Sequence, residues 1–192
     1  MSEQHGNPPE PTSDEELFVE FANTLAFDDG LPNERLPDGD ALVAWLVERG
    51  LVERRPARAA ADRALPAYRQ LRDLILDVSQ RLATGEPPTA VQVRALNRVL
   101  RDGLHYHELR AAEKGGFTVG QVGDALDQGR AAIAGSFAHY LADHDLRRVR
   151  VCANDGCRWR FIDRSPTGRR RWCDMNTCGN RAKVARHRAR AR

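Results

Sequence analysis

The sequence predicts a mainly α-helical chain: a multihelical N-terminal domain with one β-hairpin, followed by a small C-terminal module of hairpin and helix that carries all the cysteines. Three observations point there. Apolar residues recur at three- and four-residue spacing through most of residues 14–146, the mark of helices with one buried side. The four cysteines all lie after residue 150. The charge is also divided: residues 147–192 hold 15 Lys and Arg against three acids, whereas the first 146 hold 15 basic and 24 acidic groups. The expected organisation is a disordered tail over 1–13, a helical domain over 14–146 and a basic module over 147–192.

Taken in order, Ser13 and Glu16 form a capping-box pattern ahead of a first helix that buries Leu17, Phe18, Phe21 and Leu25. A Pro-, Gly- and Asp-rich loop from Asp28 to Gly39 ends it. Asp40 is placed to cap a second helix bearing Leu42, Val43, Leu46 and Val47, which stops near Gly50. Pro56 opens a further stretch, and Pro66 marks a kink or a fresh first turn. The clearest stripe follows, Tyr68, Leu71, Leu74, Ile75, Val78 and Leu82. Thr89 then caps a shorter helix carrying Val93, Leu96, Val99 and Leu100. Alternation on both sides of Glu113-Lys114-Gly115-Gly116 predicts a β-hairpin over 104–122. Leu126, Ile133, Phe137 and Tyr140 give a last amphipathic helix, ending near Asp143.

The C-terminal 46 residues have too few large apolar side chains to build a core of their own, so a staple is needed. Cys152, Cys157, Cys173 and Cys178 form two x4-spaced pairs. Zn²⁺ takes four soft ligands in a tetrahedron, and four thiolates leave no open position for catalysis. Two disulfides or four free thiols are the alternatives, and a cytosolic redox poise disfavours the disulfides. Residues 158–163 alternate as a strand, Ser165-Pro166-Thr167-Gly168 is a turn, and 169–172 is the expected return strand. Cys178 would open the terminal helix, which makes a treble-clef-like arrangement.

The run Cys173-Asp174-Met175-Asn176-Thr177-Cys178-Gly179-Asn180-Arg181-Ala182-Lys183 resembles the signature of the bacterial CGNR zinc-finger family, whose name spells residues 178–181. Cys152-Ala153-Asn154, Cys157, Phe161-Ile162-Asp163 and Arg171-Trp172 also resemble its pattern. Leu17 through Phe21-Ala22-Asn23-Thr24 is similar to the Phe-x-Asn-Thr opening of the ABATE domain, a helical stress-induced transcription regulator domain that precedes such fingers. The resemblance implies zinc on the four cysteines and DNA binding.

From Cys178 a helix would place Ala182, Ala185 and Ala189 on a narrow stripe between two basic flanks. Arg169, Arg170, Arg171, Arg181, Lys183, Arg186, Arg188 and Arg190 are the candidate phosphate contacts, which supply salt-dependent affinity without sequence readout. Only two of the 30 basic residues are lysines, a bias of GC-rich bacterial coding that explains Arg over Lys but not the clustering. Trp159, Phe161 and Trp172 are read as packing over the metal knuckles, and Asn180 as hydrogen-bonding backbone or thiolate there. Asn23 and Thr24 either fix packing or line a ligand pocket. His105 and His107 are read as an ordinary polar face, and His139 and His144 are five apart and do not align as ligands. No phosphate loop, nucleophile elbow or paired catalytic carboxylates appear, so no enzymatic chemistry is expected. The partners expected are duplex DNA, with RNA or an acidic protein partner as alternatives, a second copy of the chain, and a small-molecule or protein signal at the N-terminal domain. With no signal-peptide pattern and no long apolar run, a cytoplasmic location without membrane contact is expected.

Overall fold

The computed structural model describes residues 16–52, 55–104, 106–112 and 115–190. Its core forms around α3 (Arg58–Ala83) and α5 (Ala125–Asp143). The predicted stripe of α3 is buried at Tyr68, Leu71, Ile75, Val78 and Leu82, and extends back through Leu65 and Ala61. Pro66 neither starts nor splits this helix. Proline forfeits one hydrogen bond inside a helix, and burial of Leu65 and Tyr68 on either side carries the helix through it.

The short α1 (Leu17–Ala22) lies against both long helices. Phe18 packs on Phe137 and Tyr140 at ring separations of 4.7 and 5.2 Å, and Phe21 on Trp45 and Tyr68 at 5.3 and 6.1 Å. Ser13, the expected cap of α1, lies outside the described residues. α2 (Gly39–Glu48) is capped by Asp38, which accepts from the Ala41 amide at 2.9 Å, and not by Asp40. The shift follows from a tertiary bond: the Gly39 amide donates to Asp62 of α3 at 2.7 Å, which sets the start of the helix. Trp45 takes the buried position, while Val47 faces outward. α4 (Ala90–Asp102) starts in the expected Thr89 capping box, closed by Gln92, and buries Leu96 while leaving Val93 partly exposed.

Two hairpins interrupt the helices. β3 (Tyr106–Ala111) and β4 (Phe117–Val122) pair antiparallel, as the alternation predicts. The other stands where a loop was expected: β1 (Leu25–Asp28) pairs with β2 (Leu31–Glu34). Leu25 therefore starts a strand and does not belong to the first helix. The turn is Asp29-Gly30, with φ of 50° and 88°, a two-residue connection with both residues in the left-handed region. Asp-Gly is a strong sequence signal for such a hairpin, here masked by the surrounding proline and asparagine.

This hairpin is tied to α3 by charge. Arg72 is 3 % exposed and reaches Glu34 with both terminal nitrogens, at 2.7 and 2.5 Å, and the Thr24 hydroxyl at 3.0 Å. The Leu36 amide also donates to Glu34 at 2.8 Å. Burial pushes the Glu34 carboxyl up, but the Arg72 and Leu36 hydrogen bonds and the charges of Arg72 and Arg69 outweigh it, so it lies below its ordinary value of 4.5. A depressed carboxyl stabilises the fold above its unfolded pKa, and that contribution is lost as pH falls through the folded value.

Removing one member of a largely buried ion pair strands the other. Arg72→Ala is expected to cost about 3 kcal/mol in urea unfolding at neutral pH. Glu34→Gln should cost less, and its deficit against the parent chain should shrink as pH falls below 4.5. A deficit that grows in acid would contradict the direction of the Glu34 shift.

Candidate metal centre and basic face

β5 (Val149–Val151) leaves α5 through a short 3-10 turn and pairs antiparallel with β6 (Arg160–Ile162). The connection between these strands holds Cys152 and Cys157. Residues 158–163 thus pair backward with 149–151, and not forward with 169–172 as the spacing suggested. The reason lies in Asp163, which is 1 % exposed. Its carboxylate accepts from the Ser165 amide and hydroxyl at 2.9 and 2.6 Å and from the Arg170 amide at 2.8 Å, bending the chain into a loop. Burial raises the Asp163 carboxyl, but these three donors hold it below its ordinary value. Residue 171 still reaches the knuckle, since the Ala153 amide donates to the Arg171 carbonyl at 2.8 Å.

The second cysteine pair brackets the start of a π-helical turn, Met175–Gly179, with Cys173 just ahead of its cap Asp174, which accepts from the Thr177 amide and hydroxyl at 2.7 and 3.0 Å. Cys178 lies in this turn. α6 (Asn180–Arg190) begins two residues later, so the cysteine precedes the terminal helix and does not open it. Asn180 donates to the Asn176 carbonyl at 2.9 Å and braces the turn, the backbone role read for it.

The four sulfurs lie within 4.8 Å of one another. Cys157–Cys173 and Cys173–Cys178 are each separated by 3.7 Å. A tetrahedron with metal–sulfur bonds of about 2.3 Å has edges of about 3.8 Å, whereas a disulfide requires about 2.0 Å. The spacing therefore fits a four-coordinate ion and excludes disulfides, and all four cysteines are free. Further donors address the sulfurs: Asn154 Nδ2 to Cys178 Sγ at 3.4 Å, the Asn154 and Cys173 amides to Cys152, and the Trp159 amide to Cys157. Without a cation, thiols this close resist shared ionisation. Hydrogen bonds from Cys157 and Cys173 pull the Cys152 thiol down to about 2, while the same contact pushes Cys157 up to about 12. Cys173 is raised by Cys152 and Cys157 for the same reason. A divalent ion between the sulfurs removes this conflict. Phe161, Trp159 and Trp172 pack around the cysteines as expected.

The finger is docked, not merely appended. Val149 belongs to the main core. The buried Asn23 side chain accepts from the Arg160 amide and donates to its carbonyl, both at 2.9 Å, so it pairs with β6 as a strand residue would. Thr24, the next residue, instead ties the end of α1 to α3, donating to the Phe21 carbonyl at 2.7 Å and accepting from Arg72. The β1–β2 tip touches the knuckle through a Gly30 to Gly156 backbone bond of 3.0 Å. A Cβ at Gly156 would come within 3.2 Å of the Gly30 nitrogen, so a side chain there would push the tip back by a few tenths of an ångström. Arg158 lies over Phe27 at 5.0 Å, Arg35 over Trp159 at 5.3 Å, and Arg164 pairs with Glu16. Asn23 as a docking group and Asn154 as a sulfur donor were not assigned from sequence. The Asn-Thr pair after an apolar run was the available signal for the first.

The candidate phosphate contacts divide. All six whose side chains are described, Arg169, Arg170, Arg171, Arg181, Lys183 and Arg188, are exposed, and three of them also hold contacts within the protein. Arg170 stacks over Phe161 at 5.1 Å and donates to the Trp172 carbonyl at 2.8 Å and to that of Cys173. Arg171 lies over Trp172 at 5.2 Å, and Arg181 pairs with Asp29 at 3.1 Å. The side chains of Arg186 and Arg190 lie outside the described residues, as do those of Ala185, Ala189, His105 and His107. His139 and His144 line a cleft of about 580 Å³ between α1 and α5, together with Leu17, Leu51, Ser136 and Tyr140. No described helix is long and apolar enough to cross a membrane.

A helical body with a closed four-sulfur centre docked on it defines a zinc-finger protein, and zinc is the ion this donor set holds. Residues 15–144 match the ABATE family model, described as a putative stress-induced transcription regulator, and residues 148–191 match the CGNR zinc finger. The chain belongs to the ABATE family and carries a CGNR zinc finger. No curated protein matches it.

Metal analysis of the purified chain should give one zinc per chain, and Cys157→Ser should lower it sharply. Because protons compete for the thiolates, zinc affinity measured against a chromophoric chelator should fall as pH falls. A flat pH response would show that the sulfurs are not the ligands. Asn23→Ala leaves the Arg160 amide and carbonyl without their partner and is expected to cost about 1–3 kcal/mol. Faster hydrogen exchange at the Arg160 amide, with zinc content unchanged, would assign that cost to the joint.

Proposed function

We propose that this protein is a bacterial, cytoplasmic DNA-binding transcription regulator. In this reading the zinc finger presents a basic face to duplex DNA, and the helical domain receives the signal. The observation that carries it is the set of exposed cations on the finger, Arg169 ahead of the zinc turn and Lys183 and Arg188 on α6, in a segment with 15 basic and three acidic residues. Arg170, Arg171 and Arg181 contribute charge while their side chains also hold the finger together. Zinc contributes by fixing the turn from which α6 projects.

Duplex DNA is favoured over single-stranded RNA by one feature. Single-strand recognition stacks bases on aromatic side chains, whereas Trp159, Phe161 and Trp172 are packed around the cysteines. The cleft lined by His139, His144 and Tyr140 is the place where a small-molecule signal would bind. The family described for residues 15–144 is one of regulation, which supports a regulatory rather than an enzymatic role.

Fluorescence anisotropy with mixed-sequence duplex should show log affinity falling linearly with log salt. Lys183→Ala and Arg188→Ala should each reduce the slope by roughly one. Chelation of zinc should abolish binding. Tighter binding to duplex RNA or to single strands, or duplex binding that survives zinc removal, would overturn this reading.

A further inference from the structure

The β3–β4 hairpin packs mainly between its own two strands. Leu109, Phe117 and Val119 are 64 %, 72 % and 66 % exposed. Leu109 lies opposite Val119, and Ala111 opposite Phe117. With a two-residue period these four side chains share one face. A two-stranded ribbon is marginal by itself in water, and an exposed apolar strand with an open edge is a template for pairing with another chain.

The edge itself indicates which chain. The Ala112 amide donates to the Gly116 carbonyl at 3.1 Å, which makes residues 112 and 116 a hydrogen-bonded pair. Antiparallel pairs alternate, so Arg110 and Glu108 turn their backbone groups inward to β4. His107, Leu109 and Ala111 turn theirs outward, to an edge that pairs with no other strand among the described residues, where the sheet is two-stranded. Placing a twofold axis at Leu109 lets this edge pair with itself antiparallel. Leu109 then meets the partner's Leu109 in a hydrogen-bonded pair, and Glu108 faces the partner's Arg110 twice over. These are non-hydrogen-bonded positions, where facing side chains lie closest. Within one chain Glu108 and Arg110 are an exposed pair 3.0 Å apart. β4 has no charged residue and offers no such complementarity.

We propose that the chain forms a twofold dimer through β3, with a second copy of itself as the occupant of this edge. The two hairpins become one four-stranded antiparallel sheet, β4–β3–β3–β4, whose apolar faces join across Leu109. Four strands sharing an apolar face satisfy what a two-stranded ribbon lacks. The dimer needs no nucleic acid, so it stands or falls apart from the DNA-binding reading.

Sedimentation velocity on the full zinc-loaded chain, without nucleic acid, should show a concentration-dependent dimer. Glu108→Arg sets like charges opposite each other at two places and should weaken the dimer about tenfold or more. Adding Arg110→Glu to that variant restores both pairs and should restore the dimer. Leu109→Cys should form a disulfide-linked dimer under mild oxidation while zinc shields the finger cysteines. A chain that stays monomeric throughout, leaving the edge to a different protein, overturns the proposal. So does a dimer that Glu108→Arg leaves unchanged.

Discussion

The four sulfurs of Cys152, Cys157, Cys173 and Cys178 are the constraint on which the C-terminal module depends. Residues 147–192 bury very little of their own: within the finger the packed group is the cysteines with Phe161, Trp159 and Trp172. Conformational entropy of about 1–2 kcal/mol per ordered backbone residue cannot be met by so small a cluster. Metal ligation supplies what burial does not, because binding free energy to a site absent from the unfolded chain is folding free energy. The hydrogen bonds that shape the knuckles, donated by Asn154 and Asn180 and accepted by Asp163 and Asp174, then aim the ligands and the first turn of α6.

Metal alone does not orient the finger. Orientation comes from the joint, where Asn23 imitates a neighbouring strand for β6 and Val149 inserts into the core beside α3. The β1–β2 hairpin links the two halves. Its base is held to α3 by the Arg72–Glu34 pair, and its tip reaches Gly156 and Arg181. The direction in which α6 leaves the finger is therefore set relative to the helical body by these contacts.

The charge division gains a physical meaning from the same geometry. An acidic body and a basic module attract, and the structure uses that attraction locally, at Arg181–Asp29 and Arg164–Glu16. The exposed Arg181–Asp29 pair contributes little by itself. The two pairs do not neutralise the module, in which Arg169, Lys183 and Arg188 stay exposed.

Much of the fold was legible because helices and knuckles are local. The α3 stripe from Tyr68 to Leu82, the Thr89 capping box, the β3–β4 alternation and the cysteine pairs are patterns within a few turns of chain, and the sequence by itself determined them and the four-sulfur donor set. Tertiary structure decided the rest. Asp38 displaced Asp40 as a cap because Asp62 claims the Gly39 amide from another helix. The β5–β6 pairing displaced the expected return strand because Asp163 bends residues 165–170 into a loop. Asn23 became a docking group because its partner, Arg160, lies 137 residues away. Spacing in the chain carries information about neighbours three or four residues apart. It carries none about which distant backbone group will stand within hydrogen-bonding distance once the core has closed.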